Sequence, residues 1–470
     1  MRLLTLLFAL LLAGCTIMPD EQDPLPEGVT DPKEELVAHL KDNPNDLDSH
    51  ADLLRLQIKD GDVEGAQTTV GHALKHNGSD YRAHLLAAQF HRWQQDLIGA
   101  EKSLITARDL APGKLEPRVA LGGLYNQTYL EEEELEQRRI ALELADPALR
   151  PEFLLDYAYA CADLGRDDKA LELANALLAE KDAPPERRSR AHVLLCELAL
   201  RRELETEAVN HLLEALKLQP DYEGLVQYAA RLVTAVRDGK ALEPVFDRTL
   251  ETQDRVELRW AALFGKWMLG VQRAAASKQD PLGKDVVNWY RRLDAVSPSH
   301  PDSLTRHYQL LALNAERGEE RAAVEEQLKA IDFSAPAAPA SLASVISLWR
   351  AEDALRLNAP NITLFELTQL EVREPKLDGI RIMRTMALFK ARDDEQCLNA
   401  INGWIEESEE DNDFLLSMRW WIMLRDGKSK EVLQEIRGRE KEPTNATLWI
   451  ESVATFHLYR SGGELPPDNG

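Results

Sequence analysis

The sequence predicts an all-α protein built as a solenoid of helical hairpins, and three observations predict it. Small residues recur at a fixed interval: Ala66 and Ala100 are 34 apart, and Ala73, Ala107 and Ala141 repeat that interval twice. Apolar residues follow spacings of 3, 4 and 7, which mark helix faces, and no useful stretch alternates with period 2. Aromatics make up only 6% of the 470 residues, with 24 Gly and 23 Pro, which disfavours the aromatic strands and dense turns of an all-β design. Apolar residues at 44% and charged residues at 29% supply enough material for a packed core.

The elements follow in chain order. Residues 1–14, MRLLTLLFALLLAG, place one Arg before an apolar run from Leu3 to Leu12. A bilayer span needs about 20 apolar residues, so this shorter run reads as a signal-peptide core. Leu12-Ala13-Gly14-Cys15 resembles the lipobox of bacterial lipoproteins. That resemblance implies cleavage after residue 14, lipidation of Cys15 and, because Thr16 and not Asp follows, placement in the outer membrane facing the periplasm. Residues 15–32 are rich in Pro and acidic groups and read as a flexible tether.

The hairpins begin next. Leu53, Leu54 and Ile58 mark one helix, Lys59-Asp60-Gly61-Asp62 breaks it, and Val63, Ala66, Val70, Ala73 and Leu74 mark a second. Five such units start near residues 47, 81, 115, 151 and 189. The second carries Ala88, Ala100, Ala107 and Pro112. The third carries Leu121-Gly122-Gly123-Leu124-Tyr125 followed by Ala141, and the fifth Cys196, Ala208, Ala215 and Pro220. This pattern resembles the tetratricopeptide repeat (TPR), in which small residues let helices A and B approach closely and large ones fill the next hairpin. Past residue 220 the pattern loosens, and Pro244 falls inside the expected helix B of a sixth unit. Hairpins return at Leu304–Ala330, Ile380–Trp404 and Phe414–Ile436. The expected organisation is a regular TPR solenoid over 33–254, degenerate TPR-like repeats over 255–460 in one continuous superhelix, and a disordered tail over 461–470.

Chemistry is sparse. The chain lacks His-Glu-x-x-His, Gly-x-Ser-x-Gly and phosphate-loop motifs, so no catalytic residue, cofactor or metal is expected. Cys161, Cys196 and Cys397 read as small core side chains, although Cys161 and Cys196 lie in neighbouring A helices. His72 and His76 are four apart, but no third ligand follows in sequence, and a solvated helix end is the expectation. Acidic runs at Glu131–Glu134 and around Glu406–Asp413 read as solvated turns. Of Trp420 and Trp421, only one is expected to face the core, which leaves the other for a partner.

A formal charge of −25 repels nucleic acid and attracts cationic partners. Resemblance to TPR proteins implies that helix A lines an inner, protein-binding face. The polar residues there, His50, His84, His91, Asn126 and Asp156, are the candidate contacts for a protein or extended peptide, with basic segments favoured. Lipoproteins of this kind recruit peptidoglycan enzymes, assist outer-membrane assembly or support secretion and pilus machines. The expected function is therefore a non-enzymatic scaffold or adaptor. Its rival is an envelope hydrolase or transferase with a catalytic domain within 255–470.

Overall fold

The computed structural model describes residues 32–220, 222–277, 291–296, 299–333, 336–377, 379–407 and 412–463. The signal-peptide and lipobox readings, including Cys15, and nearly all of the tether lie outside these residues, as does most of the tail. Among the described residues all regular structure is helical. The helices are α1 Pro32–Asp42, α2 Leu47–Lys59, α3 Val63–Asn77, α4 Tyr81–Trp93, α5 Leu97–Leu110, α6 Leu115–Gln127, α7 Glu131–Leu144, α8 Arg150–Asp163, α9 Asp167–Ala179, α10 Pro185–Arg201, α11 Glu205–Leu218, α12 Glu223–Ala235, α13 Glu243–Thr252, α14 Val256–Ala276, α15 Pro301–Ala312, α16 Gly318–Ala330, α17 Leu342–Arg356, α18 Pro360–Arg373, α19 Ile380–Lys390, α20 Asp394–Glu407, α21 Asp413–Arg425, α22 Ser429–Arg437 and α23 Asn445–Arg460. Most pair into A/B hairpins, so the architecture is an all-α helix-hairpin repeat.

One turn recurs between helices A and B. Its key residue is left-handed: Gly61, Gln95, Tyr129, Gly165, Glu203, Asn358, Arg392 and Gly427 all have φ between 55° and 73°. The next residue always reaches back to the carbonyl five positions earlier. Asp62 N–H donates to Gln57 at 2.9 Å, Arg166 to Cys161 at 2.7 Å, Ala359 to Ala354 at 2.8 Å and Lys428 to Met423 at 2.9 Å. This is a Schellman closure that satisfies the last carbonyls of helix A. Acidic caps start several helices at the same interval: Asp46 and Asp80 cap α2 and α4, while Asp62 and Asp96 cap α3 and α5.

Pro244 does not interrupt a helix. It sits in the first turn of α13, behind the short 3₁₀ turn Lys240–Leu242, where its missing N–H costs nothing. The sequence reading also passed over the regular hairpin α17–α18, whose turn residue is Asn358 and not Gly.

The described chain forms two compact units, 32–153 with 407–463, and 154–406. In the first, Leu47, Leu54, Ala66, Val70, Ala73, Ala83 and Leu86 form a hairpin core. Its late helices cover the A/B turn after α6. Trp421 packs on Tyr129 with ring centroids 4.5 Å apart, and His457 Nε2 lies 2.6 Å from the Thr128 carbonyl. Arg460 reaches Glu101 at 3.0 Å and Glu133 at 2.7 Å while lying over the Tyr125 ring.

The second unit has one core running from Cys196 to Ala359 through Phe246, Trp260, Trp267 and Trp349. That core passes through residue 255, because α14 packs against both α12 and α13. Here too, turns from distant repeats meet. Arg201 Nε donates to Asn358 O at 2.9 Å, and its Nη1 donates to Ala162 O at 2.8 Å and pairs with Asp167 at 2.7 Å.

Trp420 and Trp421 are each only 1% exposed, against the expectation that one would be spare. They leave α21 in different directions, but both directions are covered. Trp420 donates to Glu435 and lies under Arg439, while Trp421 meets Tyr129.

Candidate binding cleft

The sequence-derived contact residues serve local structure first. His50 and His84 hold equivalent places, the fourth residue of α2 and of α4. Each Nε2 bonds the carbonyl six residues back, Pro44 O at 3.1 Å and Gly78 O at 2.9 Å. His50 is 2% exposed, and burial lowers its pKa. His91 Nδ1 lies 2.8 Å from Asp96, the cap of α5, and Asn126 donates to both oxygens of buried Glu134 at 3.0 and 3.1 Å. These four belong to the first unit. Asp156 belongs to the second, half-buried on α8. The structure therefore spreads the five along successive repeats and does not converge them. His72 and His76 are exposed, Cys161, Cys196 and Cys397 are buried thiols, and no group of three or more metal-ligating side chains converges among the described residues.

Polar and aromatic side chains converge in a cleft of the second unit that the sequence reading missed. Gln227 and Arg231 come from α12, Glu257, Trp260 and Phe264 from α14, and Arg306 and Arg356 from α15 and α17. The cavity is about 60 Å³. Trp260 and Phe264 stack one turn apart, 5.2 Å between centroids at 10°. Arg306 lies 4.9 Å over Phe264 and 2.5 Å from the fully buried Asp353. Arg356 grips Asp302 with both Nη atoms, one of them at 2.9 Å. Burial would raise Asp302, but the Arg356 guanidinium overrides it and holds the carboxyl at about 2. Glu352 goes the other way: burial lifts it to about 7 despite Arg306 and Arg356 nearby.

Three groups in this cleft are left over. Arg231 forms no hydrogen bond or ion pair among the described residues, and burial beside Arg356 lowers its pKa. The Trp260 N–H is buried without an acceptor. Glu257 spends Oε1 on Ser299 N at 2.8 Å, leaving Oε2 buried without a donor. A buried unmet donor or acceptor costs about 1–3 kcal/mol, so the set favours a group that supplies the missing halves. A nearby hollow of about 70 Å³ between Leu216, Val226, Val245 and Leu258 has Arg248 as its sole charged lining residue. The available signal was slight: Arg306 lies between Leu304 and Leu310 on α15, beside other polar residues such as His307 and Gln309. Only folding brings it beside Arg231 and Arg356.

No model of a known protein family matches the chain, and no curated protein matches it. Solved structures do resemble it. YrrB, a TPR protein with an unusual peptide-binding site, is 18% identical over 41% of this chain and 97% of its own, with a TM-score of 0.32. A tetratricopeptide repeat protein from Parabacteroides merdae is 17% identical over 66% of this chain and all of its own, with a TM-score of 0.33.

Proposed function

We propose that this protein is a non-enzymatic scaffold that binds an extended protein segment, anchored by lipid at Cys15 in the outer membrane and facing the periplasm, where it supports an envelope machine. The observation that carries the binding reading is the cleft's leftover set. Arg231 and the Trp260 N–H seek acceptors and Glu257 Oε2 seeks a donor, which is the complement of a peptide main chain presenting C=O and N–H together. The small volume suits one amide or terminal carboxylate against the Trp260–Phe264 wall, with the rest of the partner lying outside. The net charge of −25 supports a partner whose flanks are basic, at association rates that fall with salt. The hydrolase or transferase alternative gains no support from residues 255–463, whose described parts are helices like those before them.

A photocrosslinking residue at Gln227, followed by capture from the native envelope, identifies the partner. Arg231→Gln is then expected to weaken that partner's binding about tenfold without changing the melting temperature by more than a few degrees. Unchanged affinity removes the cleft from the function. The anchor has its own check: Cys15→Ala is expected to abolish lipid labelling, and a variant that is still acylated at its N-terminus refutes the localisation.

A further inference from the structure

Two imidazoles meet across the hairpin α10–α11. His192 Nδ1 lies 3.2 Å from His211 Nδ1, with ring centroids 5.4 Å apart and planes inclined by 36°. We propose that His192 and His211 are the protein ligands of a binding site for a divalent transition-metal ion of the zinc class. A tetrahedral zinc with Zn–N distances of about 2.0–2.1 Å holds two nitrogens about 3.3 Å apart. The rings already stand at that separation, so binding requires only that each turns its lone pair from its neighbour toward a common point. Without metal, one shared N–H···N bond accounts for the same contact; on binding, the Nδ1 proton of the donor ring moves through water to that ring's own Nε2, and the ion takes its place between two Nδ1 lone pairs.

The frame is rigid. Ala191, Leu195, Ala208, Leu212 and Ala215 are all buried between the two helices, so the chelate is positioned before the ion arrives. A neutral imidazole offers one ring-nitrogen lone pair, the form in which histidine ligates a metal. Glu207 and Glu214 flank His211 on α11 and favour a cation. Arg188 on α10 opposes it, and Lys217 is bonded to Glu214 at 2.5 Å. No third His, Cys, Asp or Glu completes the set among the described residues. The ion therefore keeps positions for water or an exogenous carboxylate, as in an open site and unlike a closed structural one. Both rings are half-buried, so solvent reaches these positions.

The test is zinc titration of the full chain against a chromophoric chelator, with cobalt substitution as a spectroscopic readout. One equivalent is expected, with visible cobalt bands of a four-coordinate ion. His192→Gln and His211→Gln should each lower affinity at least about tenfold. His72→Gln/His76→Gln removes the two exposed histidines of α3 and should leave that equivalent intact. His192→Asn, a shorter replacement, serves as a second variant if the glutamine disturbs the hairpin, and far-UV circular dichroism verifies folding in each. The proposal fails if the wild-type chain takes up no zinc, if the His192→Gln/His211→Gln double variant binds as tightly as wild type, or if the equivalent is lost only with His72 and His76.

Discussion

Gln95 shows how a repeat keeps its conformation after its glycine has gone. Its φ of 57° matches Gly61 at 71° one repeat earlier, and it is exposed. An L-residue in this region is strained by about 1–2 kcal/mol, partly offset by glycine's greater chain entropy. Gln95→Gly is therefore expected to stabilise the protein by about 0.5–1 kcal/mol, read as a rise in melting temperature, and a fall would contradict the turn geometry. Glu352 supplies a pH signature. Burial raises its folded pKa from the unfolded 4.5 to about 7, so the folded state holds the proton more tightly. The stability this gives is complete below about pH 4.5 and is lost as pH rises through 7. Glu352→Gln cannot ionise and should gain about 2–3 kcal/mol relative to wild type between pH 5 and pH 8, measured by urea unfolding. A difference independent of pH would contradict the raised pKa. The same residue scale limited the sequence reading. The motif Gly-x4-Ala found the turns at Gly61 and Gly165, but Gln95, Tyr129, Glu203, Asn358 and Arg392 adopt that turn without glycine and carry no compositional mark.

At the scale of elements, the spacing of small residues was legible because close helix packing demands them. Ala66, Ala100, Ala107, Ala170, Ala208 and Ala215 are all 0% exposed. The starts of α2, α4 and α6 fall at the expected 47, 81 and 115. What the pattern could not express is which helix covers an A/B turn from far along the chain. Trp421 belongs to that class: helical periodicity left it pointing away from its own hairpin, and Tyr129 receives it. Trp421→Ala should cost about 3–5 kcal/mol, the range for a fully buried aromatic, and should shift the mean tryptophan emission to the red because a buried, blue-emitting indole is lost. A loss below about 1 kcal/mol would mean that the contact is not formed. Gly265 makes a related point between α13 and α14. A Cβ there would stand 2.4 Å from the Phe246 ring, so Gly265→Ala is expected to destabilise by about 1–3 kcal/mol in denaturant titration.

At the scale of the whole molecule, the cleft and the two units share a cause. Both depend on pairings between residues far apart in sequence: Arg306 with Asp353, Arg201 with Asn358, and His457 with Thr128. A repeat read as a one-dimensional array contacts only its neighbours, and that assumption hid all three. Removing α23 is therefore expected to speed amide hydrogen exchange in α5–α7, far away in sequence, with the change concentrated around Glu101, Thr128 and Glu133. Unaltered exchange there would show that α23 contributes nothing to those repeats.

The stitching of Arg460 to Glu101 and Glu133 also sets a timetable during synthesis. A chain delivered N-terminus first through the membrane at the pace of synthesis, about 5–20 residues per second, needs roughly 15–60 s to pass from the end of α7 to the start of α23. Throughout that interval the Tyr125–Tyr129 ridge is made but uncovered, with Trp421 and α23 still unwritten. The intervening 154–406 segment can complete its own core in the meantime, since its turns close among themselves. The earliest helices to emerge thus belong to the unit that finishes last, and a chaperone that meets the chain beyond the membrane would find its target at that waiting aromatic ridge.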